Sequence, residues 1–125
     1  MITEESKYIN YMVKVIDINE PERLNVFSIN QLKVIFEGLL CGIDCIDFFR
    51  SYTNYSEYQM DELLDGLRRG LDIEVYSDPR YDFKKMKVIK LLLMKGYDKE
   101  QIFHYIIDHP YWLDIYMNFE KSLAG

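Results

Sequence analysis

A chain of 125 residues with 49% apolar content reads as one globular domain, long enough to bury a continuous core without disulfide staples. Its formal net charge of −6 argues against non-specific binding to nucleic acid or an anionic membrane. No stretch approaches the roughly 20 apolar residues of a membrane span, and the acidic start Met1-Ile2-Thr3-Glu4-Glu5 does not resemble a signal peptide. A cytoplasmic setting is therefore expected, with Cys41 and Cys45 reduced.

The segment from Met1 to Val26 looks like a worn copy of a unit that recurs from Phe27 onward. Tyr8, Met12 and Ile16-Asp17 match Ile35, Leu39 and Ile43-Asp44 at the same spacing, without the glycines. Pro21 suits the first turn of a short helix.

From Phe27 the pattern is explicit. Ser28 and Gln31 form a capping box, in which the hydroxyl and the amide side chain each satisfy one unpaired backbone N–H. Leu32, Ile35, Phe36 and Leu39 follow at i, i+3, i+4 and i+7, the spacing of a helix with one apolar face. Gly42 supplies the left-handed residue that ends such a helix, and Asp44 is placed to cap a second one.

The same phrase returns as Ser56, Gln59, Met60, Leu63, Leu64, Leu67, Gly70 and Asp72. A third copy, beginning at Asp82, is looser. Asp82 caps it, Lys85 replaces the Gln, and Met86, Ile89 and Leu93 make a thinner stripe before Gly96 and Asp98. Phe27, Tyr55 and Tyr81 precede the caps, and Leu32, Met60 and Met86 follow at the hydrophobic-staple distance. After Asp98 a helix is expected to about Asp108, where His109-Pro110 breaks it, and a last helix from Tyr111 to Lys121 closes the chain.

These signals predict an all-α fold. It is a small solenoid-like stack of alternating long and short helices, with about three recognisable units inside one domain, 1–125. Residues 1–26 form an N-terminal cap, 27–98 the repeats, and 99–125 a C-terminal cap.

The units resemble a degenerate helical repeat found in many bacterial proteins, several from mobile elements and gut anaerobes. Gln59-Met60, Gly66-Leu67, Gly70-Leu71-Asp72, Tyr76 and Asp78-Pro79 carry the match, which covers about residues 27–98. The chain departs from the pattern at Leu92, where a Gly is expected, and at Phe48-Phe49, which no Pro follows. The resemblance implies a repeat scaffold, with no reaction or ligand attached.

Few residues offer chemistry. Asp44, Asp72 and Asp98 recur once per unit, and capping accounts for them without a metal. His104 and His109 are five apart, about 140° around a helix, whereas zinc pairs sit at i and i+4. Cys41 and Cys45 lack the Cys-x-x-Cys spacing of a redox or zinc site and read as small buried hydrophobes. Asp44 and Asp47 are expected to raise the pKa of Cys45. No phosphate-binding loop, nucleophile elbow or metalloprotease motif is present, and no cofactor is expected. Gly38 and Gly66 each cost about 1 kcal/mol inside a helix, a loss that close approach of a neighbouring helix would offset.

Charge is uneven, with a basic stretch over 67–99 between acidic flanks. The partner-binding candidates are acidic Glu57, Asp61, Glu62 and Asp65, with Asp61 and Asp65 expected to face solvent together. To them are added basic Arg68, Arg69, Lys84, Lys85 and Lys87, and aromatic Tyr111 and Trp112. Arg80 and Lys90 belong to the same basic stretch.

The leading expectation is a non-enzymatic module that binds another protein as a small acidic adaptor or inhibitor. The mobile-element resemblance and the acidic charge together point to an inhibitor of a host nucleic-acid-binding defence protein. The alternative is a small DNA-binding regulator using 67–99. The helix after Asp98 offers only Lys99 and Gln101 to bases, so direct nucleic-acid binding is not favoured. For an enzyme only the two histidines speak.

Overall fold

The computed structural model describes residues 3–107 together with 111, 113, 114, 117 and 118. Among the described residues every regular element is helical: α1 (Glu4–Val15), α2 (Ile29–Leu40), α3 (Ile46–Arg50), α4 (Glu57–Arg68), α5 (Phe83–Met94) and α6 (Lys99–Ile102). Short 3₁₀ turns occupy Pro21–Val26 and Ile73–Val75, and a π-helical segment, Phe103–Ile107, continues α6. The expected break at His109-Pro110 lies outside the described residues, as does most of the expected helix from Tyr111 to Lys121.

Local chemistry sets the helix starts. Ser28 and Ser56 each close a full capping box with Gln31 and Gln59, while Asp82 accepts only from the Lys85 amide at 2.8 Å. Asp98, expected only as a cap, closes a third box with Gln101, three residues on.

Helix ends are equally regular. Gly42, Gly70 and Gly96 have φ of 81°, 72° and 91°, the left-handed region open to glycine. The next amide reaches back each time: Ile43 to the Gly38 carbonyl at 2.9 Å, Leu71 to Gly66 at 3.0 Å, and Tyr97 to Leu92 at 3.2 Å. Together with the bond from each Gly amide, this is the Schellman closure.

The second elements of the first two predicted units are shorter than the staple spacing implies, whereas the helix after Asp98 runs on through Ile107 as expected. The cap position of α3 is Cys45, not Asp44. The Asp44 carboxylate instead accepts from the Ile46 amide at 3.2 Å, the reach of an Asx turn. Asp72 accepts from the Glu74 amide at 3.2 Å and heads only the Ile73–Val75 turn.

The long helices pack in chain order, α1 on α2, α2 on α4, and α4 on α5. The capping-box glutamines fix that order. Gln31 Oε1 accepts from the Ser28 amide, while its Nε2 donates to the Thr53 and Tyr55 carbonyls, both at 2.8 Å. Gln59 repeats this with Pro79 at 3.0 Å and Tyr81 at 2.8 Å. Each glutamine therefore ties the start of its own helix to the segment of chain that enters the next one. The N-termini of α2, α4 and α5 lie side by side as a result, and the apolar stripes meet. Leu32, Ile35, Met60, Leu63, Met86 and Ile89 are almost fully buried in one contiguous cluster.

Two glycines mark close approaches. A Cβ on Gly38 would lie 2.9 Å from Leu64 Cδ1 of the neighbouring α4, as the helix-approach expectation holds. At Gly66 the crowding comes from the chain's own return: a Cβ would lie 1.9 Å from the Tyr76 hydroxyl oxygen. That hydroxyl donates to the Glu62 carbonyl at 2.8 Å, and the Tyr76 side chain is fully buried.

Gly66→Ala is expected to destabilise the fold by about 2 kcal/mol, although Ala gains about 1 kcal/mol of helix propensity. In a Tyr76→Phe background, which removes the clashing oxygen, the same change should cost clearly less in urea denaturation. Gln59→Glu keeps the cap acceptor but turns two donors into a carboxylate facing two carbonyls. It should lose about 2 kcal/mol, at least as much as Gln59→Ala, by the same measurement.

Candidate functional site

The charged face of α4 and α5 holds nine of the eleven candidate residues. The structure divides them into an internal network and an exposed surface. Lys90, only 8% exposed, is the hub of the network: its Nζ lies 2.7 Å from Glu62 Oε2 and 2.8 Å from Asp65 Oδ2. Arg69 Nε also donates to Asp65 Oδ2, at 3.0 Å. Burial by itself would lower the pKa of the Lys90 ammonium, but its bonds to Asp65 and Glu62 outweigh that and raise it. Burial likewise pushes Asp65 up, and the bonds from Lys90 and Arg69 overcome it, so its pKa is lowered.

This corrects the expectation that Asp61 and Asp65 face solvent together. Asp61 is exposed, whereas Asp65 is half-buried and committed to α5. Glu62 is likewise withdrawn from any outside partner.

The remaining surface has two halves. On α4, Glu57 is half-buried and Asp61 exposed, and neither makes an ion pair among the described residues. Partial desolvation, then the nearby charges of Glu37, Glu62 and Glu57, raises the Asp61 pKa. Arg68, the cation of this region, reaches Glu37 of α2 at 3.9 Å and is half exposed. On α5, Lys84 and Lys87 are exposed, while Lys85 is half-buried with its ammonium 4.8 Å above the Tyr81 ring. Arg80 pairs with Asp78 at 2.7 Å.

Between the halves stands an aromatic pair absent from the sequence-based candidates. Tyr58 of α4 and Phe83 of α5 have ring centroids 5.4 Å apart and remain 57% and 39% exposed. A signal was present, since neither residue lies on the apolar stripe of its helix. Of the aromatic candidates, Tyr111 is exposed, and Trp112 lies outside the described residues.

The residues weighed for chemistry are otherwise occupied or dispersed. Among the described residues no three His, Cys, Asp or Glu side chains are grouped as a metal ion would require. Asp44, Asp72 and Asp98 each accept a backbone amide. His104 is exposed, and His109 lies outside the described residues. Cys41, the C-cap residue of α2, is exposed, contrary to the expected burial. Cys45 is buried, and burial first, with Asp44 adding, pushes its thiol up to about 12. A thiol so raised is a poor nucleophile.

Among the described residues no helix is long and apolar enough to cross a membrane. Comparison with protein-family models, curated proteins and solved structures returns no match.

Lys90→Ala strands two carboxylates against each other. It should cost about 2 kcal/mol at neutral pH, less than the roughly 3–5 kcal/mol of a fully buried pair because Asp65 keeps partial solvent contact. The Asp65 pKa is lowered, so its contribution is present above its ordinary value of 3.8 and is lost as pH falls below it. Urea denaturation should therefore show the wild-type and variant stabilities converging below about pH 4.

Proposed function

We propose that this chain is a non-enzymatic protein-binding module, a small acidic adaptor or inhibitor built as a stack of repeated helical units. The repeat reading is supported by the glutamine contacts, which recur at Gln31 and Gln59, and by three copies of the same glycine closure. One observation carries the binding reading. Among the described residues, Glu57 and Asp61 stand without a cation at ion-pair distance beside the exposed ring of Tyr58. Unneutralised carboxylates around an exposed aromatic suit a partner surface that is cationic and partly apolar. The resemblance to bacterial mobile-element repeats extends this to an inhibitor that occupies the nucleic-acid groove of a host defence protein.

The DNA-reading alternative has fewer cations to use than the sequence offers. Lys90 is buried between Glu62 and Asp65, Arg69 is held by Asp65, and Arg80 by Asp78. Phosphate contacts dominate such affinity, and the cations of 67–99 left on the surface without an ion pair among the described residues, Lys84, Lys87 and Lys95 with Lys99 over the Phe103 ring, make a small footprint.

Fluorescence anisotropy with labelled duplex DNA at physiological salt should show no binding. Affinity capture from a bacterial lysate should recover a protein whose retention falls at least about tenfold for Glu57→Gln/Asp61→Asn and at raised salt. A salt-sensitive duplex complex at sub-micromolar protein would overturn the reading in favour of the DNA-binding regulator.

A further inference from the structure

The acidic half of this face lies beside a surface of the kind that would complement it. Lys84 and Lys87 of α5 are exposed and make no ion pair among the described residues, and Phe83 adds an exposed ring. The two halves are also in register. Gln59 holds the start of α4 against the chain entering α5, so the two helices begin side by side. Both are 12 residues long, and Asp61 and Lys87 each stand four residues after the first residue of their helix. Tyr58 and Lys84 each stand one residue after it.

We propose that the α4–α5 face is a homodimer interface, in which the partner that covers the acidic half is the basic half of a second copy. A two-fold axis parallel to the helices and midway between α4 and α5 sets α4 of one copy on α5 of the other. An isologous contact repeats every pairing twice. Asp61 then meets Lys87 of the other copy, Lys84 lies over the Tyr58 ring as a cation–π contact, and the Tyr58–Phe83 pairs form the apolar centre. Opposite charges side by side around exposed aromatics are what this symmetry requires. A lysine-rich half with no acidic neighbour, or the reverse, would repel its own copy. The internal pairs do not compete, because Glu62, Asp65 and Lys90 are ion-paired within one chain. The assignment rests on the reading of the α4 surface as protein-binding and names a second copy as its resident occupant, which a host protein would have to displace.

Light scattering coupled to size exclusion, run from about 5 to about 500 µM at low salt, reads the mass directly. The wild type should approach twice the chain mass at the upper end and return toward it at about 0.5 M salt, where exposed charges are screened. Asp61→Lys alone and Lys87→Asp alone should each weaken dimerisation at least tenfold, and the double swap should restore it. Tyr58→Ser should weaken it similarly, with the circular-dichroism melt unchanged in every variant.

A wild type that stays at the chain mass throughout, or a double swap as weak as the single changes, overturns the proposal. The protein-binding reading fails separately, if the lysate capture is also indifferent to Glu57→Gln/Asp61→Asn. A monomer whose captured partner is lost in that variant replaces the second copy with a different protein on the same face.

Discussion

The glutamine of the capping box is the constraint on which the rest of this structure depends. One side-chain amide accepts from the cap's backbone N–H at its own helix start and donates twice to the chain leading into the next. A helix start has orphan donors, and an irregular connection has orphan carbonyls; Gln31 and Gln59 satisfy both with one amide group each. Glutamate supplies the acceptor without the donors, and lysine the donor without the acceptor. Because the tie acts at the helix starts, it sets the axial register of neighbours. The stripes of α2, α4 and α5 then face one another at matching depth.

Electrostatics is layered on that register. With the helix starts aligned, Glu62 stands where α2 has Val34, and Lys90 stands where α4 has Leu64, both buried apolar residues. At the α4–α5 contact the chain has thus replaced two hydrophobes by an ion pair. Such a pair adds less stability than a good apolar contact, yet it is costly to break and it matches only its own complement. Part of the charge asymmetry seen along the chain is absorbed here, inside the fold. What is left over is the face with Asp61 on one side, Lys84 and Lys87 on the other, and Tyr58 and Phe83 between them.

The candidate site was only partly legible in the sequence. All nine charged candidates on α4 and α5 were correctly placed on helices or their caps, but their availability was not. Asp61 and Asp65 are one turn apart and look alike in sequence; Lys90, on the next long helix, makes one structural and leaves the other exposed. Gly66 shows the same limit, since the group that crowds it, the Tyr76 hydroxyl, is supplied by a return of the chain. Cys41 and Cys45 are one helical turn apart in number, and burial separates them into an exposed thiol and an inert one.

By itself the sequence determined where α2, α4 and α5 begin and end, and most of the stripe that α2 and α4 bury. These are local matters: a serine hydroxyl, a glutamine three residues on, a glycine free to turn left-handed, and apolar spacing near 3.6. The tertiary structure alone decided how short the second elements after Asp44 and Asp72 are and which charges are consumed internally. It also decided that Tyr58 and Phe83 come together on the surface. Those outcomes depend on groups distant in the chain meeting at hydrogen-bond distance, as Gln59 meets Pro79 and Lys90 meets Glu62, and their desolvation is set by whatever else packs there.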